Sequence, residues 1–180
     1  MGTLKTTNIQ TITGSGTLTL GTSGETLAYG SGVTSNLMYP AFFARLSSNQ
    51  TLSDATNTKA TLDTKDIDTD NAFDNTTNYR FTVPSGKAGK YVIYYGAYFF
   101  GNSGIDRTWT RLNLNGSSIQ VNYFDLSSGD LRTSNPNTAI LDLSVGDYLE
   151  LFLTLDGLGG TLQAAADGKS TYLGGFRIGT

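Results

Sequence analysis

The chain has 180 residues, a length that suits one domain with a small appendage, and it carries a net charge of −3 with only 15% of its residues charged. It contains neither cysteine nor histidine, which excludes disulfides, thiolate metal sites, thiol nucleophiles and a Ser-His-Asp triad. Lys and Arg are scattered, so nucleic acid and acidic membranes are not expected partners, and the Thr, Ser, Asn and Gly that replace the missing charge leave a surface with little electrostatic protection against association.

The opening Met1-Gly2-Thr3-Leu4-Lys5 leads into Thr, Asn and Gly rather than an apolar run. It predicts no signal peptide, no spanning helix and no membrane insertion. Residues 1–32 form a first region in which the run 17–24 is followed at once by a similar run, 25–32. Each is strand-sized and punctuated by glycine, as in small stacked β-elements. One reading is a flexible linker. The other is a β-rich stalk that orders against sister chains or a scaffold, which the alternation of Leu18 and Leu20 with Thr favours. Residues 33–40 read as a hinge.

From Ala41 onward the chain reads as strands and turns. Residues 41–46 form a first strand, and 80–84 alternate and stop at Pro84-Ser85-Gly86. A long strand covers 91–100. Residues 108–114 run into Asn115-Gly116, a strong hairpin signal, and 118–124 return from it. Residues 139–143 end at Val145-Gly146-Asp147. The next strand, 148–155, sets Leu149, Leu151, Leu153 and Leu155 on one face, and 172–178 close the chain. No segment reads as a helix. The class is all-β, a sandwich or barrel occupying 41–180.

The strand 91–100 is apolar on both faces. Tyr91, Ile93, Tyr95, Ala97 and Phe99 alternate with Val92, Tyr94, Gly96, Tyr98 and Phe100. A strand of a lone sandwich is polar outside. One face here packs in the core, and the other needs a second partner. A sister subunit is the simplest, the alternative being the stalk or a long loop. Tyrosine suits such a contact because its ring buries while its hydroxyl keeps a hydrogen bond.

Three groups of residues suggest chemistry. Asp66, Asp68 and Asp70 would share one face if extended, and their carboxylates suit calcium, but Asn71 stands where an EF-hand loop has its glycine. The other reading is a solvated loop. The only glutamates, Glu25 and Glu150, lie far apart in sequence, so a glycosidase pair is not expected. Trp109 is the single tryptophan. It either packs inside the sandwich or forms, with Asn102, Asp106 and Arg107, a ligand surface of sugar-binding type. No cofactor and no catalytic residue is predicted.

In the second region several landmarks fall in the order of a known family. They are the opening Ala41-Phe42-Phe43-Ala44, the run from Ile67 through Phe73-Asp74 to Phe81-Thr82-Val83-Pro84, Gly89-Lys90-Tyr91 with its aromatic strand, Leu112-Asn113-Leu114-Asn115-Gly116, the turn at Gly146-Asp147, and the closing Tyr172-Leu173-Gly174-Gly175-Phe176. Residues 41–178 thus resemble the C1q-like and tumour-necrosis-factor-like jelly roll. The resemblance implies a ten-stranded jelly-roll sandwich that forms a compact trimer and acts by binding. Carried over by position, Val92, Tyr94 and Tyr172, with Tyr98 on the same face, belong to the trimer interface. Tyr91, Ile93, Leu149 and Phe176 belong to the core. Thr13 to Leu27 resembles a short repeat of tailed-phage virion proteins, which assemble in the bacterial cytoplasm and often lack disulfides. The expected function is therefore a non-enzymatic homotrimer on a virion surface. It would join other virion proteins through residues 1–32 and serve as a fibre or spike head binding a host-surface glycan or protein. A capsid decoration protein is the alternative, and a cellular C1q-like lectin or adhesin a third.

Overall fold

The structure, a computed structural model, describes residues 39–101, 103–126, 131–157 and 162–179. The expected stalk at 1–32, the hinge up to residue 38, and Asn102 lie outside the described residues. The strands are β1 (Ala41–Arg45), β2 (Gln50–Leu52), β3 (Thr58–Lys59), β4 (Thr64–Asp68), β5 (Phe73–Asp74), β6 (Arg80–Thr82), β7 (Gly89–Gly96), β8 (Tyr98–Gly101), β9 (Ile105–Leu114), β10 (Ser117–Asp125), β11 (Arg132–Ser134), β12 (Asn137–Leu143), β13 (Tyr148–Gly157), β14 (Leu162–Ala164) and β15 (Tyr172–Gly179). One 3-10 turn, Asp167–Lys169, is the only helical element among the described residues, where no helix is long and apolar enough to cross a membrane.

The first sheet has the order β12-β7-β15-β1-β4, and the second β10-β9-β13-β6-β5 with β3 beside β13. The pairings are antiparallel, and the two five-strand paths supply the ten strands of the expected jelly-roll sandwich. A smaller sheet, β11-β8-β14-β2, completes the domain.

Alternation explains which faces meet. On β13, Leu149, Leu151, Leu153 and Leu155 are all fully buried, and burying one such side chain stabilises by roughly 1.5–3 kcal/mol. Along β7, β8 and the Ala97 link between them, Tyr91, Ile93, Tyr95, Ala97 and Phe99 are equally buried. Phe42 of β1 stacks on Phe81 of β6 with centroids 4.1 Å apart, which ties the first sheet to the second. Phe81 in turn meets Tyr91 at 5.9 Å. The hairpin falls at Asn115-Gly116, whose φ angles of 52° and 81° are the left-handed pair that a two-residue turn requires.

The expected single strand 91–100 breaks at Ala97. There the chain after β11 crosses close by: Asn135 N–H donates to the Ala97 carbonyl at 2.9 Å. A Cβ on Gly96 would come within 3.1 Å of the Pro136 backbone. The strand therefore leaves the first sheet after Gly96 and re-pairs in the smaller sheet as β8. On the second sheet, the Glu150 carboxylate is almost fully buried and is held by the Lys59 ammonium of β3.

Candidate assembly face and ligand surface

Pairing register places the outward face of the first sheet. Ala41, Phe176, Val92 and Ile140 lie in one row, and Phe43, Gly174, Tyr94 and Thr138 in the next, with Ile67 beside Phe43. Arg45, Tyr172 and Gly96 form the third. Three rings cluster on this face: Phe43 stacks on Tyr172 at 5.6 Å and on Tyr94 at 6.1 Å, and Tyr94 meets Tyr172 at 6.2 Å. Two of them lie over glycines. A Cβ on Gly174 would sit 2.5 Å from the Tyr94 ring, and one on Gly96 3.3 Å from the Tyr172 ring. Beside the cluster, apolar side chains face outward: Ile140 is 69% exposed and Ile67 49%. Burial, and next the neighbouring Tyr172, push the Tyr94 phenol above its ordinary range.

Val92, Tyr94 and Tyr172 thus share one face. Tyr98 continues the alternation but sits on β8 in the smaller sheet, opposite Ser134. Phe176 corrects an expectation. It pairs with Val92 and Ala41 and points outward, while the core side of β15 is taken by Leu173 and by Gly175, where a Cβ would lie 2.6 Å from Ile93. Strand alternation requires this, since Tyr172 and Phe176 are both even-numbered residues of one strand.

Asp66, Asp68 and Asp70 do not converge, so the calcium reading is corrected as well. Asp66 binds Arg45 at 3.0 Å and Lys169 at 2.6 Å, and these two cations, Arg45 first, hold its carboxyl below the usual range. Asp68 binds Lys65 at 2.8 Å and accepts the N–H groups of Ala72 and Phe73. Asp70 faces Lys87 at 3.6 Å. Each carboxylate already has its own cation, and no group of three metal-ligating side chains occurs among the described residues.

The predicted ligand surface lies on the outward face of the second sheet. Thr108, Thr110 and Leu112 occupy the core side of β9, fully buried, so Arg107, Trp109 and Arg111 face away from it. Trp109 is therefore not packed inside the sandwich. Asp106 is the extra residue of a bulge in β9, where Asp156 and Gly157 of β13 face Arg107 and Ile105. Tyr123 lies opposite Trp109, with ring centroids 5.2 Å apart, and Asp125 lies opposite Arg107. Sequence reasoning named Arg107 and Trp109 but missed Tyr123, Asp125, Arg111 and Asp156. The hairpin at Asn115-Gly116 was a usable signal for the strand that carries Tyr123.

The two stacked sheets and their strand order define a jelly roll of the C1q and tumour-necrosis-factor type. Among solved structures the chain is similar to the Eiger TNF of S. frugiperda, with 14% identity and a TM-score of 0.57, covering 76% of this chain and 90% of that one. It is similar to the globular domain of zebrafish complement 1qA at 22% identity and TM-score 0.53, with 77% and 97% covered. Murine APRIL matches at 11% identity and TM-score 0.54, with 76% and 97% covered. No family model matches the chain, and no curated protein matches it.

Proposed function

We propose that the chain forms a homotrimer through the outward face of its first sheet. In this reading the trimer is a non-enzymatic virion-surface protein of a tailed phage, a fibre or spike head for host attachment. The observation that carries the assembly is the glycine-backed cluster of Phe43, Tyr94 and Tyr172, with outward-facing Ile67 and Ile140 beside it. An apolar face of this kind seeks a partner. The β10 edge supplies one, because Phe124 stands exposed there. Edge-to-face contact repeated about a threefold axis closes a ring.

The binding role is supported by the jelly roll itself and by the absence of His and Cys, the commonest bases and nucleophiles at neutral pH. The virion reading is supported by the repeat-like run from Thr13 to Leu27, with residues 1–32 as the attachment segment. Light scattering on the purified chain should give the mass of three subunits. Deletion of residues 1–32 should leave that trimer intact but unable to join the particle, and normal incorporation of the truncated chain would refute the attachment role. Competition with phage adsorption supports the fibre head, whereas binding to empty capsids with unchanged adsorption supports the decoration protein. The likeness to an animal complement domain favours a second reading, a cellular C1q-like adhesin, in which neither phage assay responds.

A further inference from the structure

The outward face of the second sheet, the sheet opposite the proposed assembly face, carries a built platform. Tyr123 is 43% exposed and Val121 beside it 49%. The Tyr123 ring meets the half-buried Trp109 at an interplanar angle of 52°. Both rings are fixed from the sides. The Arg111 guanidinium lies 5.5 Å from the Trp109 ring centroid and is itself held, through Nη1, by Asn57 Oδ1 at 2.8 Å and Thr154 Oγ1 at 2.6 Å. The Tyr123 hydroxyl donates to Asp125. Arg107 binds Asp156 at 3.0 Å, opposite Asp125 across the β9–β10 pair. The platform thus ends in a row of carboxylate, guanidinium and carboxylate.

We infer that Trp109 and Tyr123 form a stacking platform for a neutral hexose of a polysaccharide, with Asp125, Arg107 and Asp156 gripping its hydroxyls. A pyranose offers an apolar C–H face that packs on an aromatic ring, and vicinal hydroxyls that both donate and accept. The row supplies acceptors in the two carboxylates and a donor in the guanidinium, as a diol requires. Charge complementarity selects the class. An anionic sugar meets two carboxylates at the gripping end, and a cationic peptide meets two arginines on the platform, whereas a neutral sugar leaves each ion pair intact. Ordered rings lose little rotamer freedom on binding, so a shallow open surface suffices. The platform lies on the sheet opposite the assembly face, so a trimer presents three copies outward, and avidity multiplies weak single sites by roughly 10²–10⁴. The biological meaning of the site rests on the reading of the trimer as a binding head.

Trp109 is the single tryptophan, so its fluorescence reports the site directly. Full-length protein is titrated with dextran, mannan and galactan, and with polygalacturonate as the anionic comparison. At least one neutral polymer should change the emission saturably, with polygalacturonate weaker. Tyr123→Ala should weaken that binding about tenfold. In affinity electrophoresis through gels containing the same polymer, Trp109→Ala should lose retardation, and so should Asp156→Ala, which removes a gripping carboxylate but neither ring nor the Tyr123–Asp125 bond. The inference is overturned if none of the three neutral polymers binds, if polygalacturonate binds as well, or if Trp109→Ala and Tyr123→Ala bind like the parent. Light scattering on the same samples separates the two readings: a monomer that binds overturns the trimer alone, and a trimer that binds none overturns the platform alone.

Discussion

Replacing Tyr94 by aspartate tests the assembly face where its consequences are largest. In the isolated subunit the substitution removes two ring contacts, with Phe43 and Tyr172, each worth roughly 0.5–1.5 kcal/mol. It touches nothing in the core, because Tyr94 points away from Ile93 and Tyr95. A loss of about 1–3 kcal/mol leaves the domain folded if it has ordinary stability. In the trimer, each subunit would bury a carboxylate between Gly174 and Thr138 and beside Val92, while Arg45 and Lys169 are already held by Asp66. An unpaired buried charge costs several kcal/mol per subunit, so three together approach roughly 10 kcal/mol, or about seven decades in the assembly constant. Tyr94→Asp should therefore elute as a folded monomer, shown by circular dichroism and light scattering, while Tyr94→Phe stays trimeric. Ile140→Asp, at a position outside the core, should dissociate the trimer without the loss of ring contacts. A trimeric Tyr94→Asp with unchanged dissociation refutes the reasoning, because no face buried in the assembly tolerates three new charges.

Three further outcomes follow from the fold. Lys59→Met leaves the Glu150 carboxylate buried without its cation and should cost about 2–3 kcal/mol in urea unfolding, the lower end of the range because Lys59 is partly exposed; adding Glu150→Gln should recover most of it, and no recovery would show that the pair was not the cause. Burial pushes the Tyr91 and Tyr95 phenols up to about 12, so between pH 10 and 12 the folded chain keeps protons that the unfolded chain has shed. Stability should be full below pH 10 and fall by up to about 2–3 kcal/mol per tyrosine as pH rises through that window, with a shallower fall in Tyr95→Phe; a flat alkaline limb would contradict the buried placement. Asp74 accepts the N–H groups of Thr77 and Thr76, the Asn78 side-chain amide and the Asn78 N–H, which hold its carboxyl well below the usual range. That stability is present above the ordinary carboxylate pKa and is lost as pH falls below it, so Asp74→Ala should lower the melting temperature at neutral pH and flatten the acid limb.

Much of the fold was legible because long alternating runs leave little choice of face. Leu149 to Leu155 and Tyr91 to Phe99 could only be core rows, and Asn115-Gly116 fixed a turn. The short strands β2, β3, β5, β11 and β14 were not legible, since two or three residues carry no period. Their place is set by partners distant in sequence, as when Lys59 pairs with Phe152. The ligand surface was half legible for a specific reason. Counting back from the hairpin, Leu114 pairs with Ser117 and Asn113 with Ser118, a register that would set Asn122 opposite Trp109. A bulge at Ile119 shifts the pairing by one residue, so Tyr123 stands there instead. Nothing in the local sequence announces that shift.

The glycines under the aromatic cluster bear on how fast and how cleanly subunits can join. Since Gly174 and Gly96 let the Tyr94 and Tyr172 rings settle against their own sheet, the recognition surface is already in its final shape before any partner arrives. Little side-chain motion then remains to be frozen on contact, so the encounter complex needs no rearrangement to mature. A Gly174→Ala chain would keep every ring and every charge yet lift Tyr94 off the sheet, turning a flat lock-and-key surface into one that must be remoulded at each association.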